Sequence, residues 1–460
     1  MTADIPPSGF GEPPANRAEL EYTTPLSEAY PGRKVFAWAL YDWANSAYST
    51  LSITVLVSYL ISTLDKIQPE LGALVWAWGI GLTMLVAAIL SPIFGAIADA
   101  HASKRRWLAT TAWTGSAACG LMMFATPDRP WLLVVLFLTA HLAFELSQGF
   151  YNGFLPEIAP VERMERVSAW GYALGYLGGA LPLLIFLGLY TQGHRIGLPT
   201  AENDARALVP RLGLLLMGLW WGLFTIPTIM WLKDRGQPKR ERQTLYRATR
   251  TAMREVAGTL RNIRTFRMLT IFLVAFLIYN DGVQTVISQA SVFAKEVLAM
   301  TSGELAQVIL VIQFVAIAGA WSVGRLAEYW GAKPTLSLCL ATWTLLLIAA
   351  FFIRTTTHFW IMAVVVALVL GGTQSISRAM MGRMTPASHT AEFFGFFNLS
   401  GKATSVVGPM FFGSILYTTG SAHWAMASLL LFFLLGWAIV SRVDVQQGRE
   451  EAARADEAHE

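Results

Sequence analysis

The chain has 460 residues, of which 54% are hydrophobic and 14% are charged, and its formal net charge is +4. A soluble protein of this length carries about a quarter charged residues, so the composition excludes an ordinary soluble enzyme and indicates a chain embedded in lipid. The basic residues lie in loops beside apolar runs, which favours contact with anionic lipid headgroups over binding to nucleic acid.

A polar, proline-rich arm at residues 1–33 precedes twelve long apolar runs. The arm lacks the basic-then-apolar order of a cleaved signal, so we expect it to be disordered and cytoplasmic. A bilayer core requires about 20 apolar residues per helix and offers the backbone no hydrogen-bond partners, so each run predicts one membrane-spanning helix. The predicted spans are 34–62, 72–99, 106–126, 131–155, 165–191, 210–232, 267–295, 303–327, 333–353, 358–383, 392–418 and 422–442.

The twelve spans predict an all-α membrane protein with two six-helix bundles, at residues 34–232 and 267–442, followed by a cytoplasmic tail at 443–460. Lys and Arg residues concentrate in the connections that follow even-numbered spans, which predicts that those connections and both termini are cytoplasmic. The most basic connection, residues 233–266, places apolar residues at helical spacing. We expect either an interfacial helix on anionic lipid or a solvated linker there.

No catalytic or cofactor signature stands out in the sequence. Cys119 and Cys339 both fall inside apolar spans, where no spacing argues for a disulfide. The chain shows no His/Cys metal spacing, no G-x-S-x-G nucleophile motif and no G-x-x-x-x-G-K-[ST] phosphate loop. We therefore expect no enzyme activity, no metal, no cofactor and no built-in ATP motor.

The stretch GAIADAHASK at residues 95–104 recurs as GRLAEYWGAK at residues 324–333, after span 2 and after span 8. This repeat predicts two halves related by a pseudo-twofold axis along the membrane normal. We expect the two loops to be gates whose contacts break when the halves move, or else plain salt bridges worth under about 1 kcal/mol. The predicted gating residues are Gly95, Asp99, Lys104, Arg105 and Arg106 in the first loop, and Gly324, Arg325, Glu328 and Lys333 in the second.

Polar side chains form a stripe along one face of spans 1, 4, 7 and 10, one span in every three. Helical spacing places the members of each stripe on a common face. Two further polar residues lie inside spans 8 and 11. The predicted solute-binding and proton-binding residues are Asp42, Asn45, Tyr48, Glu145, Gln148, Asn152, Tyr279, Asn280, Asp281, Gln284, Gln313, Gln374, Arg378 and Lys402.

Five of these residues are ionisable, namely Asp42, Glu145, Asp281, Arg378 and Lys402. A charge at the centre of a membrane helix costs about 2.5 to 3.5 kcal/mol, so five charges facing lipid would cost on the order of 12 to 17 kcal/mol. That is as much as the net stability of a whole protein. We therefore expect these groups to border a water-filled cavity, to pair with each other, as Asp281 could with Lys402, or to do both.

Small residues are concentrated in span 5, in GYALGYLGGALP at residues 171–182, and in span 11, in GKATSVVGPMFFG at residues 401–413. Small residues let helices approach closely, and proline frees a carbonyl group and can bend a helix. The pattern is equally typical of a gate and of a packing surface.

The repeated loops and the glycine-rich span 5 resemble the major facilitator superfamily. The stretches YDWANSAY, YNGFLPEIAP, GYALGYLGG, DGVQTVISQAS and AEFFGFFNLSGKA are similar to its branch related to fungal vacuolar amino-acid effluxers. The resemblance implies that spans 1, 4, 7 and 10 line a central cavity and that the chain transports a small solute. The second loop departs from the pattern, because Glu328 replaces the aspartate and Pro334 stands where an arginine pair would begin.

The expected function is secondary transport of a small polar solute by alternating access, with amino acids, export and proton coupling favoured. Arg378 or Lys402 would bind a carboxylate, and the three buried acids would bind an ammonium group or a proton. The alternatives are a carrier of sugars, lipids or drugs, and a receptor of transporter fold that binds without flux. We expect a monomer in a bacterial cytoplasmic membrane, with a vacuolar membrane as the alternative.

Overall fold

The computed structural model describes residues 32–68, 71–197, 208–234, 265–298, 300, 302–403 and 407–457. All regular secondary structure in these ranges is helical, which confirms the all-α prediction. Twelve helices or helix pairs follow the predicted spans to within a few residues. They are α1 (Gly32–Leu64), α2 (Leu71–Ala100), α3 (Lys104–Leu121), α4 (Pro130–Gly153), α5 (Met164–Gln192), α6 (Leu208–Trp231), α7 (Arg267–Leu298), α8 (Ser302–Trp330), α9 (Ala332–Ala350), α10 (Thr356–Met384), α11 (Thr390–Ala403 and Val407–Thr419) and α12 (Ala422–Ser428 and Leu430–Val440).

Ten of these helices, within the described ranges, are long and apolar enough to cross a membrane. The other two are α3, whose first turn is basic, and α11, which is described in two pieces. Both occupy their places in the bundles, α3 against α4 and α6, and α11 against α2 and α7. Large apolar side chains such as Leu85, Leu345 and Met410 are exposed on the outside, as a surface facing lipid requires.

Two clusters of buried apolar side chains coincide with the two halves of the chain. One lies between Trp38 and Leu232 and adds two alanines of the second half, and the other lies between Met268 and Val443. Each half therefore packs around its own core, as expected for two bundles. Most of the connection 233–266, including its predicted interfacial helix, lies outside the described residues, so that prediction stays open.

The bundles meet closely at one end, which we call the closed end and which contains Asp99, Lys104, Met384 and Thr390. There α2 packs against α11, and α5 packs against α8 and α10. A Cβ atom on Gly95 would lie 2.6 Å from the carbonyl oxygen of Ala391 in the other bundle. Only glycine permits this approach. The closed end is the end predicted to be cytoplasmic.

The predicted tail contains a further helix, α13 (Val445–Glu457), which packs against the closed end of the second bundle. Glu451 accepts a hydrogen bond from the backbone N–H of Met268 at 3.0 Å. Asp456 accepts hydrogen bonds from the N–H groups of Ala387 and Ser388 at 2.8 and 3.0 Å. The tail is therefore tied to both the start of α7 and the connection between α10 and α11.

Candidate functional site

A cavity with a volume of about 530 Å³ lies at the interface between the two bundles. Helices α1, α2, α4 and α5 line it from the first bundle, and α7, α8, α10 and α11 line it from the second. The polar stripes of spans 1, 4, 7 and 10 therefore meet around one hollow. The predicted site residues that line it are Asp42, Asn45, Tyr48, Gln148, Asn152, Asn280, Gln284, Gln313, Gln374 and Arg378.

Three predicted site residues lie outside the described cavity lining, which differs from the sequence expectation. Glu145 is 4% exposed and its Oε1 lies 3.9 Å from His141 Nε2. The hydroxyl of Tyr279 lies 2.6 Å from that of Ser377 within the second bundle. Both groups are packed among neighbouring helices, although the helical spacing of their stripes predicted that they would face the cavity.

Asp281 is the third of these residues. It is buried on the face of α7 that packs against α11, where a Cβ atom on Gly408 would lie 3.0 Å from its Oδ1. Successive helical residues point about 100° apart, so Asn280 faces the cavity while its neighbour does not. The side chain of Lys402 lies outside the described residues, and its pairing with Asp281 stays a prediction.

Asp42 and Arg378 form an ion pair that joins the two bundles at the cavity floor, toward the closed end. Arg378 Nη1 lies 2.9 Å from Asp42 Oδ2, and the hydroxyl of Tyr151 donates to the same oxygen at 2.7 Å. Arg378 also donates from Nε to Ser168 Oγ at 2.9 Å and from Nη2 to the Ser168 carbonyl oxygen at 2.7 Å. The acid in the first apolar span therefore neutralises a buried guanidinium from the tenth.

Aromatic rings enclose this guanidinium. The Cζ atom of Arg378 lies 4.7 Å from the ring centre of Trp38 and 4.2 Å from that of Tyr172. Trp38 in turn stacks on Tyr151 with ring centres 4.7 Å apart. A cation removed from water gains about 2 kcal/mol from such a contact, so the rings help to hold the charge in place.

The glycines of α5 form a packing surface against α1. A Cβ atom on Gly171 would lie 2.6 Å from Asp42 Oδ2 and 2.7 Å from Arg378 Nη2. One on Gly178 would collide with the backbone of Trp43. The span-5 glycines thus form a close packing surface here, and Gly171 also leaves room for the ion pair, while their role as a gate stays a prediction.

The aromatic residues around the ion pair were not identified from the sequence. Trp38, Tyr151 and Tyr172 belong to no polar stripe, and aromatic residues are common in any membrane span. The available signal was helical phase, because Tyr151 lies three residues after Gln148 on the stripe of span 4. That spacing turns it toward the same side of α4.

The rest of the cavity wall consists mainly of amides, hydroxyls and rings. Gln313 Nε2 donates to Thr50 Oγ1 at 3.3 Å, and the Tyr176 hydroxyl donates to Gln374 Oε1 at 3.2 Å, so both hydrogen bonds join the bundles. Among the described lining residues only Asp42 and Arg378 are formally charged with histidine neutral. The wall therefore combines amides and hydroxyls with apolar and aromatic surface, and its formal charges balance.

Two local features of the first bundle border this wall. The Tyr48 hydroxyl lies 3.1 Å from His141 Nδ1, which fixes two polar groups of α1 and α4 together. Next to them α1 contains a π-helical turn at Ser52–Leu56. Such turns are frequent at functional sites, because they re-aim the side chains of one helix face.

The first repeated loop ties the two bundles together at the closed end. Asp99 Oδ2 accepts hydrogen bonds from the backbone N–H groups of Ala391 and Glu392, at 2.9 and 3.1 Å. These groups lie in the first turn of α11. A carboxylate is favourable there because the N-terminus of a helix carries a partial positive charge.

Lys104 completes this contact from the start of α3. Its ammonium group lies 3.2 Å from Asp99 Oδ1, forms an ion pair with Glu157 and donates to Thr390 Oγ1 at 2.6 Å. Burial lowers the pKa of Lys104, but the neighbouring Asp99 and Glu157 carboxylates raise it by more, so the net pKa shift is upward. The lysine therefore stays charged while buried.

The second repeated loop is more exposed. Glu328 Oε1 lies 3.9 Å from Arg166 Nη1 across the interface, with the two side chains 23% and 45% exposed. Lys333 donates to the carbonyl oxygen of Ser441 at 2.8 Å, within its own bundle. A Cβ atom on Gly324 would lie 2.5 Å from Cβ of Ala169.

The remaining predicted gating residues make local contacts. The backbone N–H of Arg105 donates to Asp234 Oδ1 at 2.9 Å. Arg106 is exposed, and the guanidinium of Arg325 lies 4.2 Å from the ring centre of Trp321. The contacts given for Arg105 and Arg325 lie within one bundle, whereas Lys104 reaches the other bundle.

A further inter-bundle ion pair at the closed end was not identified from the sequence. Arg383 Nη2 donates to Glu165 Oε2 at 2.7 Å, and Arg383 Nε lies 2.7 Å from Glu165 Oε1. The pair joins α10 to α5. Neither residue belongs to the repeated loops, so their spacing gave no signal.

Residues 75–453 match the family described as vacuole effluxer Atg22 like. The chain belongs to this family. It is 31% identical over 411 residues to the uncharacterized MFS-type transporter YxiO of Bacillus subtilis, covering 88% of this chain and 94% of that protein. It is 25% identical over 455 residues to autophagy-related protein 22 of Yarrowia lipolytica, covering 81% and 75%.

Solved structures show the same fold. The MFS transporter FucP in the outward conformation matches with a TM-score of 0.70 and 12% identity, covering 90% of this chain and 98% of that chain. The human organic anion transporter MFSD10 matches with a TM-score of 0.69 and 12% identity, covering 91% and 100%. The family match and the similarity to YxiO show that the chain is an integral membrane transporter of the major facilitator superfamily, which confirms the resemblance inferred from its motifs, and the solved structures show its fold.

Proposed function

We propose that this Atg22-like protein is a secondary transporter for a small polar solute without large net charge, with amino acids as the favoured class. The observation that carries the proposal is a charge-balanced cavity between the two bundles, to which both bundles contribute amides and hydroxyls. Its volume falls within the usual range of about 300 to 1,000 Å³ for small-molecule sites. The amides and hydroxyls that both bundles present favour a solute with polar groups over a wholly apolar lipid or drug as cargo.

Alternating access supplies the mechanism in this proposal. The cavity is closed toward one end by the Asp42–Arg378 pair, and beyond it by the contacts of Asp99 and Lys104. In the other direction its lining continues to Ile53 of α1 and Trp76 of α2. In this conformation the solute site would therefore exchange with the end opposite the closed end, and access from the closed end would require the closed-end contacts to break.

Sidedness and direction follow from charge and from family membership. The closed end is proposed to be cytoplasmic, because the basic connections predict that side. Export is favoured because the family description names an effluxer. We further propose a monomer in a bacterial cytoplasmic membrane, supported by the Bacillus subtilis relative, with residues 233–266 contacting anionic lipid headgroups.

Proton coupling is the proposed source of energy, and it is supported by the buried acids. Asp42 lines the cavity, and Glu145 lies beside His141. Transport should lose its dependence on a proton gradient in at least one of the variants Asp42→Asn, Glu145→Gln and Asp281→Asn. Full dependence in all three would exclude these acids as proton carriers.

Counterflow in proteoliposomes tests the proposal as a whole. Vesicles loaded with an unlabelled amino acid, monosaccharide or nucleoside should accumulate the labelled form of the transported solute. Ser49→Trp places a large ring in the cavity and should lower the rate at least tenfold. Ser58→Trp, on an exposed position of α1 outside the described lining, is the matched control and should keep the rate. Binding of a solute without any counterflow would identify a receptor and refute transport.

A further inference from the structure

Arg378 is held in place by groups other than Asp42. Ser168 accepts hydrogen bonds from its Nε and Nη2, and the rings of Trp38 and Tyr172 cover its Cζ atom at 4.7 and 4.2 Å. Arg378 is 2% exposed but borders the cavity. Its position and orientation are therefore fixed whether or not an acid occupies Nη1.

Nη1 of Arg378 and the hydroxyl of Tyr151 converge on one oxygen, Asp42 Oδ2, at 2.9 and 2.7 Å. The two donors come from α10 and α4, and the guanidinium is positioned by α5. A third side chain, Asn152, lies 3.5 Å from Nη1 through its Oδ1. Helices α4, α5 and α10 thus form a site for a carboxylate oxygen at the cavity floor, and in this structure Asp42 of α1 occupies it.

We propose that this site receives the carboxylate of the transported solute in exchange for Asp42, and that the displaced Asp42 binds one proton. The inference rests on the proposed function, because it needs a solute to enter the cavity. It defines the cargo more narrowly as a solute that carries a carboxylate. Asp42 would then be a stand-in for that carboxylate in the empty transporter.

The uptake of a proton by Asp42 follows from the charges around it. The titratable groups that face it are Arg378 of α10 and the phenols of Tyr41, Tyr151, Tyr172 and Tyr176. Arg378 is the cation among these described groups. Once a solute carboxylate neutralises it, an ionised Asp42 would remain buried without a cation, which favours uptake of a proton from cavity water.

The exchange makes solute and proton bind together. One carboxylate enters, one proton is taken up, and the net charge of the pair of sites is unchanged by these two events. The same step breaks the Asp42–Arg378 contact between the bundles, which removes one tie at the closed end. Solute and proton should therefore cross the membrane in the same direction. In a bacterial cytoplasmic membrane an inward proton gradient would then drive uptake, so this inference predicts the direction opposite to the export that the family description favours.

Chemical rescue tests whether the site accepts an external carboxylate. Asp42→Ala should lower the melting temperature of the purified full chain, and acetate should raise it again in a saturable manner. Acetamide and chloride at the same concentrations should have no such effect. Asp128→Ala, on an exposed loop, is the matched control and should not respond to acetate. If Asp42→Ala cannot be purified, Asp42→Asn is tested in the same way.

An acetate effect no larger in Asp42→Ala than in Asp128→Ala, or an equal effect of acetamide, would overturn the proposed site. The proton is tested over a pH range in which acetate stays ionised. Wild-type affinity for acetate should strengthen about tenfold for each unit by which pH falls, and Asp42→Ala affinity should stay constant. A pH-independent wild type would overturn the exchange.

The two proposals can fail separately. Rescue by acetate in a protein that shows no counterflow of any solute would refute transport and leave the carboxylate site intact. Counterflow without rescue would refute the exchange and leave transport intact.

Discussion

The two repeated loops carry the same residue types at the same spacing and yet make different contacts. Asp99 and Lys104 of the first loop are each 4% exposed and bind α11 of the other bundle. Glu328 of the second loop reaches Arg166 only at 3.9 Å and is partly exposed, and Lys333 turns to its own bundle. Of the two repeated loops, the first therefore makes a buried contact with the other bundle and the second makes a partly exposed one.

This difference shows that burial, and not the motif, sets the strength of the contact. An exposed ion pair contributes about 0 to 1 kcal/mol because water and salt screen it. Removing one partner of a buried pair costs about 3 to 5 kcal/mol, because the other charge is left without compensation. The first loop should therefore hold the closed end, while the second adds little.

Replacement of the two lysines should give the largest contrast. Lys104→Met leaves the Asp99 and Glu157 carboxylates without their cation, and we expect a loss of about 3 to 5 kcal/mol in the free energy of unfolding. Lys333→Met should cost under about 1 kcal/mol. Denaturant titration of both variants in detergent measures the difference. Equal losses would contradict this expectation and show that the two loops contribute equally to the free energy of unfolding.

The two loop glycines should differ in whether their replacement can be compensated. Gly95→Ala and Gly324→Ala should each cost about 1 to 3 kcal/mol through overpacking. At Gly324 the added carbon meets the side chain of Ala169, so the second change Ala169→Gly should restore stability. At Gly95 it meets the backbone of Ala391, which no substitution removes. The same titration tests both cases, and failure of the Ala169→Gly rescue would contradict this contact.

The smallest expected effect is the salt dependence of stability, which should distinguish Glu328 from Asp99. Glu328→Gln is expected to cost under about 1 kcal/mol at low salt and nothing measurable at 1 M salt, where the screening length falls to about 3 Å. Asp99→Asn removes a buried charge, and its cost should change little with salt. Melting temperatures at the two ionic strengths provide the measurement. A salt-independent Glu328→Gln effect would mean that its pair is shielded from water.

The span limits could be read from the sequence because apolar length is a local property. The cavity-facing side chains were also largely predictable, since a membrane leaves few places for amides. Asp281 shows where this reasoning stops. A buried acid was expected to face the cavity, but Asp281 is buried where α7 packs against α11. The spacing of polar residues within one span does not predict which helix packs against it.

The residue pairs that join the two bundles could not be predicted from the sequence, for a different reason. Asp42 and Arg378 are 336 residues apart, and nothing in either stripe states which acid meets which base. The contacts of Trp38 and Tyr172 with the guanidinium of Arg378 could be predicted only after the position of that ion pair was known. The polar tail shows the same dependence, because the docking of α13 relies on Glu451 and Asp456 meeting N–H groups of other segments.

Side-specific labelling tests the central claim that one shared cavity opens alternately at either end. Ser49 is exposed in the cavity wall, and Cys119 and Cys339 are buried, so Ser49→Cys gives one reactive site. An impermeant thiol reagent should label it from the side opposite the closed end. Adding Lys104→Met should shift labelling toward the closed-end side. Labelling from the same side with and without Lys104→Met, or from neither side, would contradict the account.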